Sequence, residues 1–288
     1  MNAPHLYQDV RPSPIAGRWY SADPLRLARS VDEYLEQADV PALNGDVIGV
    51  LTPHAGHRYS GPVAGHAFKL VQGLATEVVA LVGPSHYPYD APIVTTAHEA
   101  YETPLGQVPV DRAALAVLGE VIPIKAVRTD PEHSLEIELP FLQRALGEFR
   151  MIPLALVEQS YEMAQALGQA LADTLAGTRA LLVASSDLSH FYPQDIARRL
   201  DGTVLDAVAR YDPADVIQAE VSGSGFACGR GAIATIMIAA RALGADTAQI
   251  VGYATSGDVT RDYAQVVGYG AAVFYRRAAS PGAEPPSR

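Results

Sequence analysis

The sequence predicts a single α/β domain with a mainly parallel or mixed central sheet flanked by helices. Two observations carry this expectation. Short runs rich in Val, Ile and Leu alternate with longer segments of helical period, the pattern of strands buried on both faces by crossover helices. No linker, composition break or internal repeat divides the chain between about residue 10 and residue 276. Its 288 residues would admit two domains of ~150 residues, so the unbroken alternation is what favours one.

The elements follow in order. Residues 1–9 read as an N-terminal extension. A first helix opens with Asp23 as N-cap and Pro24 at its first position, and Leu27, Val31, Tyr34 and Leu35 recur on one face. Strands are expected at 46–52, 77–83, 92–97, 150–157, 179–185, 248–254 and 265–275. Helices are expected at about 61–73, 111–120, 133–147, 160–176, 194–210, 212–220 and 231–243. Pro140 falls inside the 133–147 pattern, so that helix is kinked or begins later. Segment 98–110, with a Pro-Leu-Gly turn between extended stretches, reads as a hairpin attached to the main sheet and as a candidate pocket wall. Residues 277–288 are rich in Pro, Gly and Ser and read as a disordered tail.

Composition excludes several classes. The chain has 21 Lys and Arg against 32 Asp and Glu, a formal charge of −11, with no basic block, which argues against a nucleic-acid partner. One cysteine makes no internal disulfide and no Cys-x-x-Cys zinc site, which points to a reducing compartment. Residues 1–22 lack a signal-peptide core. The most apolar stretch, 231–240, is well short of the ~20 residues a bilayer span needs. The expectation is a cytoplasmic protein without a membrane partner, with a homo-oligomer left open.

Chemistry collects at strand ends. Strand 46–52 runs into Pro53-His54-Ala55-Gly56-His57, strand 77–83 into Pro84-Ser85-His86, and strand 179–185 into Ser186-Asp187-Leu188-Ser189-His190. In an open α/β sheet the carboxyl ends of the strands form the ligand crevice, so three imidazoles converge if these strands are parallel neighbours. Cys228 sits in a glycine-rich loop just before a helix and beside Arg230, a setting that favours the thiolate. His133 lies near the start of another helix. Asp187 could cap a turn or orient an imidazole. Glu132 and Glu136 suit a helix N-terminus. His57 and His66 read as structural or solvent-facing. Two His with a thiolate or carboxylate leave open positions at Fe(II), and the same donors suit Zn or Cu. A remaining His can act as acid or base.

The segments Val50-Leu-Thr-Pro-His54-Ala-Gly56, Gly83-Pro-Ser-His86, Glu132-His133-Ser-Leu-Glu136, Ser185-Ser-Asp187-Leu-Ser-His190 and Cys228-Gly-Arg230 resemble the motif series of the Memo-like family, also called AmmeMemoRadiSam system protein B. Arg11-Pro-Ser-Pro-Ile-Ala-Gly-Arg-Trp-Tyr20 and Tyr253-Ala-Thr-Ser-Gly-Asp258 fit it as well, so the resemblance spans nearly the whole chain. It implies a fold similar to the class III extradiol dioxygenases, whose iron is held by two His and a Glu. It also implies metal ligands at His54, His86 and Cys228, with Cys in place of the carboxylate. His190 and His133 would face the metal as acid/base or substrate-binding residues, helped by Asp187.

The function expected on this basis is an Fe(II) enzyme that cleaves a catechol-like aromatic substrate with O₂, Cu or Zn being the other metals the donors suit. A non-catalytic protein holding a metal or a peptide in the same crevice is the alternative. A hydrolase using Cys228 or a serine with His190 and Asp187 ranks third, because no Gly-x-Ser-x-Gly elbow is present.

Overall fold

The structure is a computed structural model that describes residues 7–278. In chain order the elements are β1 (Val10–Arg11), α1 (Pro24–Gln37), β2 (Gly45–Thr52), α2 (His57–Lys69), β3 (Val78–Pro84), β4 (Ile93–Thr96), β5 (Ala100–Thr103), β6 (Gly106–Pro109), α3 (Arg112–Gly119) and β7 (Ile124–Val127). They continue with α4 (Leu139–Leu146), β8 (Arg150–Leu156), α5 (Tyr161–Leu175), β9 (Ala180–Ser185), β10 (His190–Tyr192), α6 (Gln194–Ala209), α7 (Pro213–Val221), α8 (Arg230–Ala242), β11 (Thr247–Thr255), α9 (Ser256–Thr260) and β12 (Val266–Arg277).

The main sheet is mixed and runs β10-β12-β2-β9-β3-β8-β4-β7, with β11 paired to β12. Its centre, β2, β9, β3 and β8, is parallel. On one side β12 pairs antiparallel to β2, and on the other β4 pairs antiparallel to β8. Residues of β3 are buried on both faces, as the unbroken apolar run Val78-Val-Ala-Leu-Val82 requires. Around the sheet, α1 packs on α2, and α8 packs on α5 and against β3 and β9. Two helices approach closely where α1 crosses α2: a Cβ on Gly65 would stand 2.5 Å from the Tyr34 carbonyl oxygen, so only glycine permits this crossing.

Several expectations shift. Helix α4 begins at Leu139, after a 3-10 turn at Glu136–Glu138, which puts Pro140 in the first turn, where its missing N–H costs nothing. Helix α2 begins at His57, four residues before the expected start, and carries Pro62 inside it. The 98–110 hairpin forms as β5 and β6, but it pairs with β1 in a separate three-stranded sheet. It is linked to the main sheet by an isolated bridge from Val110 to Met151 and packs on β8. Strand β12 runs two residues past its expected end at residue 275. The expected tail from residue 279 onward, and residues 1–6 of the expected N-terminal extension, lie outside the described residues. Short elements β1, β7, β10 and α9 had no sequence signal, since two to five residues cannot display a period. No helix among the described residues is long and apolar enough to cross a membrane.

Candidate metal centre

The order β2-β9-β3 puts the three histidine-bearing strand ends side by side, with β9 in the middle. His54 follows β2 in a four-residue loop and is only 1% exposed. His86 follows β3, and the ring centroids of His54 and His86 are 5.3 Å apart, edge to face. The segment after β9 supplies Asp187 and then His190, which starts β10. From the opposite side comes the Cys228 loop, whose Sγ lies 3.2 Å from His54 Nε2. One donor atom from each of His54, His86 and Cys228 falls within 4.8 Å of the others.

Each donor is held by a partner. Ser185 Oγ is 3.0 Å from His54 Nδ1, which leaves Nε2 to face the thiol. Glu132 Oε1 is 2.9 Å from His86 Nδ1, and its other oxygen accepts from the His86 backbone N–H at 2.5 Å. A ligating imidazole characteristically gives its other nitrogen to such a neighbour, which orients the ring and fixes its tautomer. Asp187 Oδ1 accepts the backbone N–H of His54 at 2.8 Å, so Asp187 holds the main chain of the His54 loop rather than an imidazole. The Cys228 loop is clamped by Gln159, which donates to the Cys228 carbonyl at 2.8 Å and accepts from the Gly231 N–H at 3.0 Å.

His133 stacks on His86 with centroids 4.5 Å apart and lies 4.1 Å from the ring of Trp19. With His190 it lines a pocket of about 430 Å³ that also takes in Arg18, Trp19 and Tyr59. His133 sits in the loop before the 3-10 turn rather than on a helix.

Burial dominates the electrostatics. It pushes the His54 pKa well below the ordinary value, reinforced by the neighbouring His133 and His86. Burial likewise lowers His133 to about 4 and depresses His190. Asp187 is raised to about 7 by burial, against the backbone N–H groups of His54 and Ala55. Burial would also raise Glu132, but the hydrogen bonds and charge of His86 outweigh it and hold the carboxylate ionised.

Cys228 departs from the sequence reading. Burial, with Asp187 nearby, raises its thiol above the usual range, and Arg230 turns away to pair with Glu220 at 2.8 Å. These surroundings favour the thiol, and a cation bound here would favour the thiolate by reversing the local balance of charge. Glu132 differs from the helix-terminus role expected of it and anchors His86, whereas Glu136 does open the 3-10 turn and its side chain pairs with Arg11 at 2.5 Å. His57 is buried, with Nε2 2.9 Å from the Ile137 carbonyl, and packs on Tyr20 and Phe141 outside the cluster. His66 Nδ1 faces the Pro62 carbonyl within its own helix. The 98–110 hairpin lines no part of the pocket. The pocket wall comes instead from Arg18 and Trp19, whose sequence signal was their place in the Arg11–Tyr20 motif, which carried no site role. Ser185 was legible only as the start of the Ser185-Ser-Asp187-Leu-Ser-His190 motif, without a role, and Glu138 gave no signal, because nothing in their spacing marks a side chain that acts through another.

The donor set suits a transition metal. Two neutral imidazole nitrogens and a thiolate match the borderline and soft ions, and bonds of about 2.0–2.3 Å could span the present N···S separation with little movement. Three such ligands would leave coordination positions open for other groups.

The profile of the family described as Memo-like protein matches residues 11–273. A MEMO1 family protein of Methanopyrus kandleri is 35% identical over 276 residues, covering 91% of this chain and 98% of its own length. One from Archaeoglobus fulgidus is 36% identical over 263 residues, covering 90% and 97%. One from Pyrobaculum aerophilum is 33% identical over 283 residues, covering 93% and 99%. The crystal structure of an uncharacterized Escherichia coli K12 protein superposes with a TM-score of 0.46 at 12% identity, over 78% of this chain and 99% of that one.

Proposed function

From the premise that this chain belongs to the Memo-like protein family, we propose that it is a metal-dependent enzyme in which His54, His86 and Cys228 hold Fe(II) and a catechol-like diol is cleaved by O₂. The observation that carries the reading is the three-donor cluster opening onto a pocket that holds two further imidazoles, those of His133 and His190. A metal bound there supplies Lewis acidity toward substrate oxygens and a place for O₂.

The chain's own residues do the rest. Trp19 and Tyr59 offer aromatic walls for a flat ring. His190, neutral at pH 7 because burial depresses its pKa, accepts the proton of a substrate hydroxyl. His133, also neutral, is fixed by its stacking between Trp19 and His86 and is placed to donate a hydrogen bond to an oxygen developing negative charge. Asp187 keeps the His54 loop at the end of β9. Both atoms of O₂ enter the ring-opened product, so no external reductant is needed.

The test is anaerobic loading of the full chain with Fe(II), followed by O₂ uptake over a panel of catechols. About one metal per chain and catechol-dependent uptake are expected, with bound metal falling to a small fraction in His54→Ala and Cys228→Ala. Full loading without uptake would discard ring cleavage. It would then favour the second reading, a protein that holds a metal without turnover, for which the softness of the Cys228 sulfur toward Cu(I) speaks. Equal metal content in wild type and Cys228→Ala would remove Cys228 from the ligand set.

A further inference from the structure

Behind His54 lies a buried carboxyl that the proposed reaction does not use. Glu138 is 1% exposed, and its partners among the described residues are the hydroxyls of Ser185 and Thr52. Ser185 Oγ in turn has three polar neighbours: the Ser134 carbonyl oxygen at 2.6 Å, Glu138 Oε1 at 2.8 Å and His54 Nδ1 at 3.0 Å.

The hydrogens available decide which group donates. A hydroxyl carries one hydrogen and two lone pairs. The Ser134 carbonyl can only accept, and two oxygens at 2.6 Å need a hydrogen between them, so the Ser185 hydrogen goes to Ser134. The other two contacts then meet Ser185 lone pairs, and both partners have to be donors. His54 donates only with its hydrogen on Nδ1, and Glu138 only as the protonated acid. Thr52 Oγ1 completes the arrangement by donating to the second Glu138 oxygen at 3.2 Å.

We propose that Glu138 is carried as a neutral carboxylic acid that donates to Ser185, and that Ser185 so pinned holds His54 in the Nδ1–H tautomer, leaving the Nε2 lone pair facing Cys228. Glu138 and Ser185 are then positioning residues for a ligand. Burial supports the neutral acid, since it drives the Glu138 pKa well above the carboxylate range and Asp187 adds to it. An ionised Glu138 would compete for the one Ser185 hydrogen, stranding the Ser134 carbonyl at 2.6 Å. The metal role of this relay rests on the function proposed above, whereas the tautomer does not.

The experiment uses the reduced, metal-free full chain, labelled with ¹⁵N, near pH 7. Two-bond ¹H–¹⁵N spectra are expected to show His54 with its hydrogen on Nδ1. Difference infrared spectra are expected to show a carboxylic acid C=O band that disappears in Glu138→Gln. The glutamine amide can donate to Ser185 as the acid does, so Glu138→Gln should keep the tautomer and bind Co(II) within about threefold of wild type. Ser185→Ala should admit the second tautomer and weaken Co(II) binding about 10- to 100-fold, the range for lost support behind a ligand. An Nε2–H tautomer in the wild type, or a loss in Glu138→Gln as large as that in Ser185→Ala, would overturn the proposal. If Ser185→Ala fails to fold, the wild-type spectra and Glu138→Gln still decide. Wild type with the expected tautomer but no Co(II) binding would overturn the metal reading and leave the relay standing.

Discussion

His54 and His57 stand three residues apart and are used in opposite ways. His54 faces the thiol and the pocket, whereas His57 starts α2 and is buried among Tyr20, Phe141 and the Ile137 carbonyl. Burial lowers His57 to about 4, so the unfolded chain takes up its proton near pH 6.5 and the folded chain only near 4. Its contribution to stability is therefore intact above about pH 6.5 and lost as pH falls toward 4. Asp187 and Glu138, raised by burial, work in the opposite sense, favouring the folded state as pH falls. The comparison to make is thus wild type against His57→Gln. In urea titrations at pH 7.5 and 4, the difference in unfolding free energy should shrink by about 3 kcal/mol at the lower pH, since each tenfold change in proton affinity is worth ~1.4 kcal/mol. A pH-independent difference would show that His57 is not held neutral. The sequence set His57 apart from His54 as structural or solvent-facing, and the structure chooses the structural setting, with the ring buried against Tyr20 and Phe141.

At the scale of elements, the loop before α8 delivers the sulfur, and Gly229 sets how close it comes. A Cβ there would lie 2.7 Å from the Ser185 carbonyl oxygen and 2.9 Å from Ser186 Cβ, both at the end of the central strand β9. Gly229→Ala should push Cys228 away from His54, lowering bound Co(II) well below one per chain and costing about 1–3 kcal/mol by overpacking. Metal titration together with the thermal midpoint would check it, and unchanged metal binding would show that the loop has slack. The parallel neighbours β2, β9 and β3 were legible as apolar runs ending in His, since strands buried on both faces leave no other pattern. The place of the 98–110 hairpin was not, because a turn signal states that two strands pair and not which sheet they join.

For the whole molecule, residues 10–20 act as a strap. Arg11 in β1 is 2% exposed and reaches Glu136 at 2.5 Å, Asp130 at 2.8 Å and the Glu132 carbonyl at 2.6 Å, with its guanidinium 4.5 Å over the Tyr101 ring. Tyr20 donates to the same Glu136 at 2.6 Å, and Trp19 covers His133. The strap thus ties the N-terminus to the loop that carries Glu132 and His133. Arg11→Met leaves Glu136 buried without its cation, and should lower unfolding free energy by about 3–5 kcal/mol in denaturant titration. Ser13 Oγ also donates to Glu136, at 2.5 Å, so a loss under about 1 kcal/mol would mean that Tyr20 and Ser13 satisfy Glu136 unaided.

The sequence by itself determined the α/β class, the family, and which side chains gather at the strand ends, because periodicity and motif order are local properties written residue by residue. Tertiary structure decided the rest. It showed that Cys228 is partly buried with Arg230 turned to Glu220, that Glu132 holds His86, that Ser185 and Glu138 stand behind His54, and that Trp19 covers His133, more than a hundred residues away in the chain. Those facts depend on desolvation and on contacts between segments distant in the chain, and neither is set until the sheet has brought the strand ends together.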